Sequence, residues 1–182
     1  MALLSRLLRL AGAALALALT PLAAADGTPE YQLKAVFLLH FAQFVEWPET
    51  AFADAASPLT ICVLGEDPFD GVLDDTVRGE TVGSRRFQGQ RLRSVDKAMA
   101  CHILFISASE GARLKEDFTA LRGRSVLTVG DSDDFGRTGG MIGFALVDDK
   151  IRLQINPEVA KAANLKLSSK LLQAAQIVAG GS

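Results

Sequence analysis

The chain has 182 residues, with 19 Lys+Arg against 21 Asp+Glu, 49% hydrophobic and 22% charged content, and two cysteines. This length holds one ordinary domain, or one domain with an appendage, and excludes a two-lobed clamp. A formal charge of −2 leaves no basic excess to hold nucleic acid by phosphate neutralisation, and the apolar fraction excludes a disordered chain.

Residues 1–25 read as a secretory signal peptide. Arg6 and Arg9 precede an apolar run from Leu10 to Leu19, which ends at Thr20-Pro21 and is followed by Ala23-Ala24-Ala25. That order is a positive region, a short apolar region and a small-residue cleavage site, and the run is too short to favour a spanning helix. The mature domain is then 26–182. Without Arg6 and Arg9 it has 17 basic and 21 acidic residues, a net −4. In an exported chain, Cys62 and Cys101 point to a disulfide in preference to a metal or redox-catalytic pair, and no Cys-x-x-Cys occurs. No later stretch is apolar and long enough to cross a bilayer, so direct membrane insertion is not expected.

Glu30 to Val45 places Leu33, Val36, Phe37, Phe41, Phe44 and Val45 at helical spacings, and Pro48 stops that helix by disfavouring α at Trp47. Leu59 to Leu64 is a short apolar run ending at Gly65, after which Pro68 opens a helix to about Val77. Residues Arg78 to Val95 are poorly legible, with one strand near Arg85 to Phe87. His102 to Ile106 repeats the strand pattern, followed by a helix from Gly111 to Leu121, with Leu114, Phe118 and Leu121 on one face. Ser125 to Val129 is a third such run. Uniformly apolar runs alternating with helices predict a mostly parallel sheet covered on both faces. Met141 to Val147 and Ile151 to Ile155 then flank Asp148-Asp149-Lys150 and read as a terminal antiparallel hairpin. Asn156-Pro157 starts a helix through Ala163, and Ser168 another through about Val178.

If the first strand lies beside the one starting near Cys101, the two cysteines are close enough to bridge. Catalytic patterns fail. Gly123-Arg124-Ser125-Val126-Leu127 lacks the last glycine of a nucleophile elbow. His40 and His102 have no zinc-ligand spacing. The run Asp131-Ser132-Asp133-Asp134 has Gly136 but Ile142 where a calcium loop needs Glu, so it reads as a solvated turn. Gly65 to Gly71 lacks the dinucleotide fingerprint, and its carboxylates would repel phosphate. No cofactor is called for.

Several stretches together resemble the YfiR-like family of periplasmic regulators from about Glu30 to Val178. They are Lys34 to Val36 through Phe44-Val45-Glu46-Trp47-Pro48, Ile61 to Phe69, Cys101 to Ile106, Phe135 with Gly139 to Ile142, and Ile155-Asn156 with Leu165 to Leu172. The resemblance implies a three-layer α/β domain of Rossmann-like topology without catalytic activity. It implies binding to the periplasmic region of an inner-membrane diguanylate cyclase, repression of that cyclase, and lower cyclic di-GMP and biofilm formation. An outer-membrane, peptidoglycan-associated lipoprotein is an implied sequestering partner, and a homodimer is compatible with it. Cys62 and Cys101 match the family's stabilising disulfide, and a second cysteine pair seen in some members is missing.

Two surfaces are candidates for the partner. The hairpin offers an edge strand with Arg152 and Gln154 outward and Asp148-Asp149 exposed, although the same pattern suits an ordinary solvated hairpin. Trp47 is a hot-spot residue type, although it can equally seal the helix end against the sheet. The stripe of Phe37, Phe41 and Phe44 reads as core. The alternative function is a small-ligand sensor or solute-binding module, using the crevice near Gly65, Ser107 and Gly130. A hydrolase would need Ser107, Ser109 or Asp131.

Overall fold

The computed structural model describes residues 28–180, so the segment read as a signal peptide lies outside the described residues. In chain order the elements are α1 (Pro29–Phe44), β1 (Val45–Glu46), a 3-10 turn at Glu49–Ala51, β2 (Leu59–Leu64), α2 (Val72–Val77), β3 (Thr81–Val82) and β4 (Arg85–Leu92). A 3-10 stretch at Val95–Ala100 leads into β5 (Ile103–Ile106), and another at Ala108–Arg113 runs into α3 (Leu114–Ala120). Then follow β6 (Leu127–Gly130), α4 (Phe135–Thr138), β7 (Ile142–Val147), β8 (Lys150–Ile155), α5 (Pro157–Ala162), β9 (Lys166–Leu167), α6 (Ser169–Gln173) and β10 (Gln176–Ile177).

Eight strands form one sheet in the order β10-β8-β7-β6-β5-β2-β4-β3, and β1 pairs with β9 in a separate ribbon. Strands β4, β2, β5, β6 and β7 are mutually parallel, whereas β8 runs antiparallel to β7 and β3 antiparallel to β4. The reason is visible in β2. Its six residues are all buried, and successive side chains point to opposite faces. Ile61 and Val63 join a core with Leu38, Phe41 and Leu73 from α1 and α2 and with Ala160 and Leu171 from α5 and α6. Cys62 and Leu64 join a second core with Leu114, Leu121 and Phe135. A strand apolar on both sides needs cover on both sides, which makes the three-layer α/β architecture.

Cys62 in β2 and Cys101, one residue beyond the 3-10 stretch before β5, form a disulfide with a Cα separation of 5.9 Å. β2 and β5 are neighbours, with Cys62 opposite Leu104. The bridge therefore ties two central strands at the base of the second core.

Several expectations are corrected. Leu33 and Val36 are 47% and 38% exposed rather than core. The buried face of α1 is Lys34, Ala35, Leu38, Phe41 and Ala42. Apolar residues surround most of this helix, so spacing does not choose a face; contact with the sheet does. Phe41 is core, with Phe37 and Phe44 packed partly buried against it. The helix expected from Pro68 begins only at Val72, because Asp67 Oδ1 accepts from the Phe69 N–H and Gly71 turns through φ 87°. The illegible region holds two strands, including the eight-residue β4, whose Arg and Gln side chains hide it. The last helix is only α6, after which the chain extends into β10 alongside β8. The hairpin is therefore not terminal in the sheet.

Replacing both cysteines by Ala should lower stability by about 4 kcal/mol, the chain-entropy value for the 39-residue separation. Urea unfolding of the double variant against the oxidised protein measures this, and an unchanged midpoint would refute a stabilising bridge.

Candidate functional site

Trp47 follows β1 and lies half-buried, its Nε1–H donating to the His102 carbonyl at 3.2 Å and its ring edge-on to the His102 ring at 6.4 Å. His102 immediately precedes β5. The imidazole is buried, stacked on Phe52 at 4.3 Å, with Nδ1 accepting from the Thr60 N–H at 3.1 Å and Nε2 3.1 Å from the Ala51 carbonyl. Acceptance at Nδ1 leaves the proton on Nε2, which donates to Ala51. Arg85 closes the same loop, its guanidinium 3.7 Å over the Phe52 ring and Nη1 donating to the Asp54 and Ser57 carbonyls. Trp47 thus belongs to a packed corner at the amino ends of the parallel strands.

Asp148 and Asp149 lie beyond the carboxyl end of β7, with Arg152 opposite Ala145 and Gln154 opposite Gly143, so Trp47 and the hairpin tip occupy opposite ends of the sheet. Asp148 and Asp149 have φ of 50° and 57°, a left-handed pair that makes the two-residue turn between Val147 and Lys150. Arg152 is exposed, but Gln154 is half-buried and opposite Gln176 of β10. The edge-strand expectation therefore holds only for Lys150 to Leu153. β6 pairs β7 only through Gly143, so Phe144 to Val147 also extend beyond their other neighbour. The hairpin tip projects as a two-stranded ribbon.

Between that ribbon and the first turns of α1 lies a groove of about 460 Å³, lined by Glu30, Lys34 and the residues 131–134 that were expected to be a solvated turn. Asp133 and Asp134 are exposed, but the Asp131 side chain is only 7% exposed. Its Oδ2 accepts from Lys34 Nζ at 2.6 Å and from the Tyr31 hydroxyl at 2.8 Å. Lys34, itself 3% exposed, also pairs with Glu30 one turn earlier. Burial, then the hydrogen bond and charge of Asp131, push the Tyr31 hydroxyl well above its ordinary range, so it remains a donor. Asp131 Oδ1 and Ser132 Oγ are buried without a hydrogen-bond partner. Sequence reasoning missed this cluster; its one signal was a lysine four residues after a glutamate in a largely apolar helix.

The crevice expected near Gly65, Ser107 and Gly130 is filled. A methyl group on Gly65 would strike Ser109 and Glu110, and one on Gly130 would strike the Phe135 ring. Ser107 Oγ caps the 3-10 turn at Ser109 and lies 3.2 Å from Ser109 Oγ, while both imidazoles contact main-chain groups. A separate cleft of about 860 Å³ runs between α3 and α5, past Phe118, Arg122, Met141 and Val159. No group of three or more His, Cys, Asp or Glu among the described residues is placed to hold a metal ion.

A family model described as YfiR/HmsC-like matches residues 31–176, which spans all strands but the last residue of β10. The chain belongs to the YfiR/HmsC-like family. Members of this family are regulatory proteins rather than enzymes, and membership supports a periplasmic regulatory role in cyclic di-GMP signalling. No curated protein matches the chain. One similar solved structure is the ABC domain in complex with L-Trp from Streptococcus pneumonia, at 8% identity and a TM-score of 0.49, covering 66% of this chain and 55% of that one. No helix among the described residues is long and apolar enough to cross a membrane.

Burial, reinforced by the Arg85 charge, holds the His102 imidazole below its ordinary value of 6.5, against the Ala51 carbonyl, which favours protonation. The unfolded chain therefore binds this proton first, and stability falls as pH drops below about 6.5. Urea midpoints between pH 5 and 7.5 should show this slope, and His102→Gln should flatten it; an equal slope in the variant would refute the assignment. Separately, Asp131→Asn should cost about 3 kcal/mol by leaving a buried ammonium with only its half-exposed glutamate partner. Chemical denaturation checks that value.

Proposed function

We propose that this protein works in the periplasm by binding the periplasmic region of an inner-membrane diguanylate cyclase and holding it inactive, which lowers cyclic di-GMP and restrains biofilm formation. The observation that carries this reading is the family match over residues 31–176. The Cys62–Cys101 bridge suits an oxidising compartment, and the signal-like order of residues 1–25 suits export. Inhibition requires only tighter binding to the off conformation than to the on conformation; a hundredfold preference corresponds to about 2.7 kcal/mol. A peptidoglycan-associated lipoprotein that sequesters the regulator would relieve inhibition by mass action, and a homodimer would be compatible with either state. The hairpin residues Asp148, Asp149, Arg152 and Gln154 are the partner surface we favour, with Trp47 supporting the opposite end of the fold.

A second reading, a small-ligand sensor, is favoured by one observation, the cleft between α3 and α5 with Phe118, Met141 and Val159 on its walls and Lys115 and Arg122 at its side. A metabolite that raises the melting temperature of the wild type, and not of Val159→Trp, would support it.

Deleting the gene should raise cellular cyclic di-GMP and surface attachment, with restoration by the wild-type gene. Unchanged cyclic di-GMP across growth conditions would overturn the regulatory reading. Complementation with an Asp149→Lys, Arg152→Glu variant should restore cyclic di-GMP control only partly, with the protein present at wild-type abundance; full restoration would remove the hairpin tip from the partner surface.

A further inference from the structure

The groove beside the hairpin has the shape of a missing strand. β6 lies parallel to β7 with Val129 opposite Ile142 and Gly130 opposite Gly143. At Asp131 the chain turns out of the sheet toward α4, while β7 continues through Val147. No described strand pairs with Phe144 to Val147 on that side. In the β7–β8 hairpin, Val147 and Lys150 flank a two-residue turn, so Val147, Ala145 and Gly143 form the hydrogen-bonded pairs with β8. The alternate residues face outward. The C=O of Phe144 and both main-chain groups of Leu146 therefore point into the space that a longer β6 would occupy. The groove touches Phe144 and Leu146 from one face of the hairpin and Gly143 and Ala145 from the other, as a slot along a strand edge must.

The charge around this slot has one sign in excess. Glu30, Asp131, Asp133 and Asp134 line it against the single cation Lys34, which already pairs with Glu30 and Asp131. Asp134 also faces Arg137 at 3.3 Å, an exposed contact. Asp131 is more than nine-tenths buried at the slot wall, and its Oδ1 lacks a donor, as does the neighbouring Ser132 Oγ. Both atoms are closed to solvent, so an incoming group would meet the exposed carboxylates of Asp133 and Asp134 directly and the Asp131 charge only from behind them. The acidic excess along the wall favours an ammonium or guanidinium on the incoming segment. Leu146, 58% exposed, adds an apolar contact on the α1 side.

We infer that this slot accepts an extended, Lys- or Arg-bearing segment of the regulated protein, which adds as a strand along Phe144 to Val147 and places its cation against Asp133, with the buried Asp131 charge behind it. Main-chain pairing supplies affinity and the acidic wall supplies selectivity. This rests on the reading that the chain binds the periplasmic region of a diguanylate cyclase, and it names the contact.

The test is titration calorimetry of the mature protein with the purified periplasmic region of the host's inner-membrane diguanylate cyclase, together with amide hydrogen exchange. Binding should slow exchange of the Leu146 amide by roughly tenfold or more, as pairing of an exposed edge amide requires. Asp133→Lys, a substitution at an exposed residue, should weaken binding about tenfold. Leu146→Pro removes the outward donor without touching the β7–β8 ladder and should weaken it by at least as much. Lys161→Glu, on α5 away from the slot, should bind like wild type. If wild type binds but Leu146 exchange and the Asp133→Lys affinity stay unchanged, the slot is overturned while the regulatory reading stands. If wild type fails to bind, both fall. Protection of Leu146 in the isolated protein that grows with its concentration would assign the slot to a second copy of the chain and overturn the inference.

Discussion

Burial of the central strands on both faces is the constraint from which the rest of the molecule follows. β2, β5 and β6 expose none of their residues, and their alternating side chains feed two separate cores. Covering only one side would leave a whole set of large apolar side chains in water, at roughly 1.5–3 kcal/mol for each. The helices must therefore lie in two layers. The central strands of four to six residues also bring the chain out of the sheet early at Gly130, and that early exit leaves the longer β7–β8 hairpin projecting past its neighbour.

Lys34 and Asp131 couple that exit to the first helix. A buried ion pair adds little net stability, because desolvation offsets most of the attraction. Its effect here is positional: it helps fix which face of α1 meets the sheet, and it holds the start of the 131–134 turn beside α1. At the opposite end of the strands, His102 performs a comparable positional task by tying Thr60 and Ala51 to one imidazole, with Trp47 and Phe52 packed around it. A disulfide between adjacent central strands stiffens the middle. The result is a packed body with one projecting ribbon.

The uniformly apolar strands were legible because complete burial leaves a run with no polar interruption, as in Leu59 to Leu64. The hairpin was legible because Ile151, Leu153 and Ile155 alternate with polar neighbours over one wet face. β4 was not, since a strand near the sheet edge can present Arg86, Gln88, Gln90 and Arg91 to solvent and still form its ladder with β2. The inward face of α1 was misread because Leu33 and Val36 are as apolar as the residues that do pack. Asp131 was misread for a related reason: beside Asp133 and Asp134 it looks solvated, and only the approach of α1, 97 residues earlier in the chain, buries it.

From the sequence by itself came the α/β class, the alternation of strands and helices, the pairing of Cys62 with Cys101 and the family resemblance, all set by local composition or by order along the chain. The tertiary structure alone decided which helix face is inside, that β10 adds beyond the hairpin, that the expected crevice at Gly65 and Gly130 is filled, and that an acidic slot opens beside β7. Each of these depends on where distant segments meet, and a contact between residues far apart in the chain leaves no period in either of them.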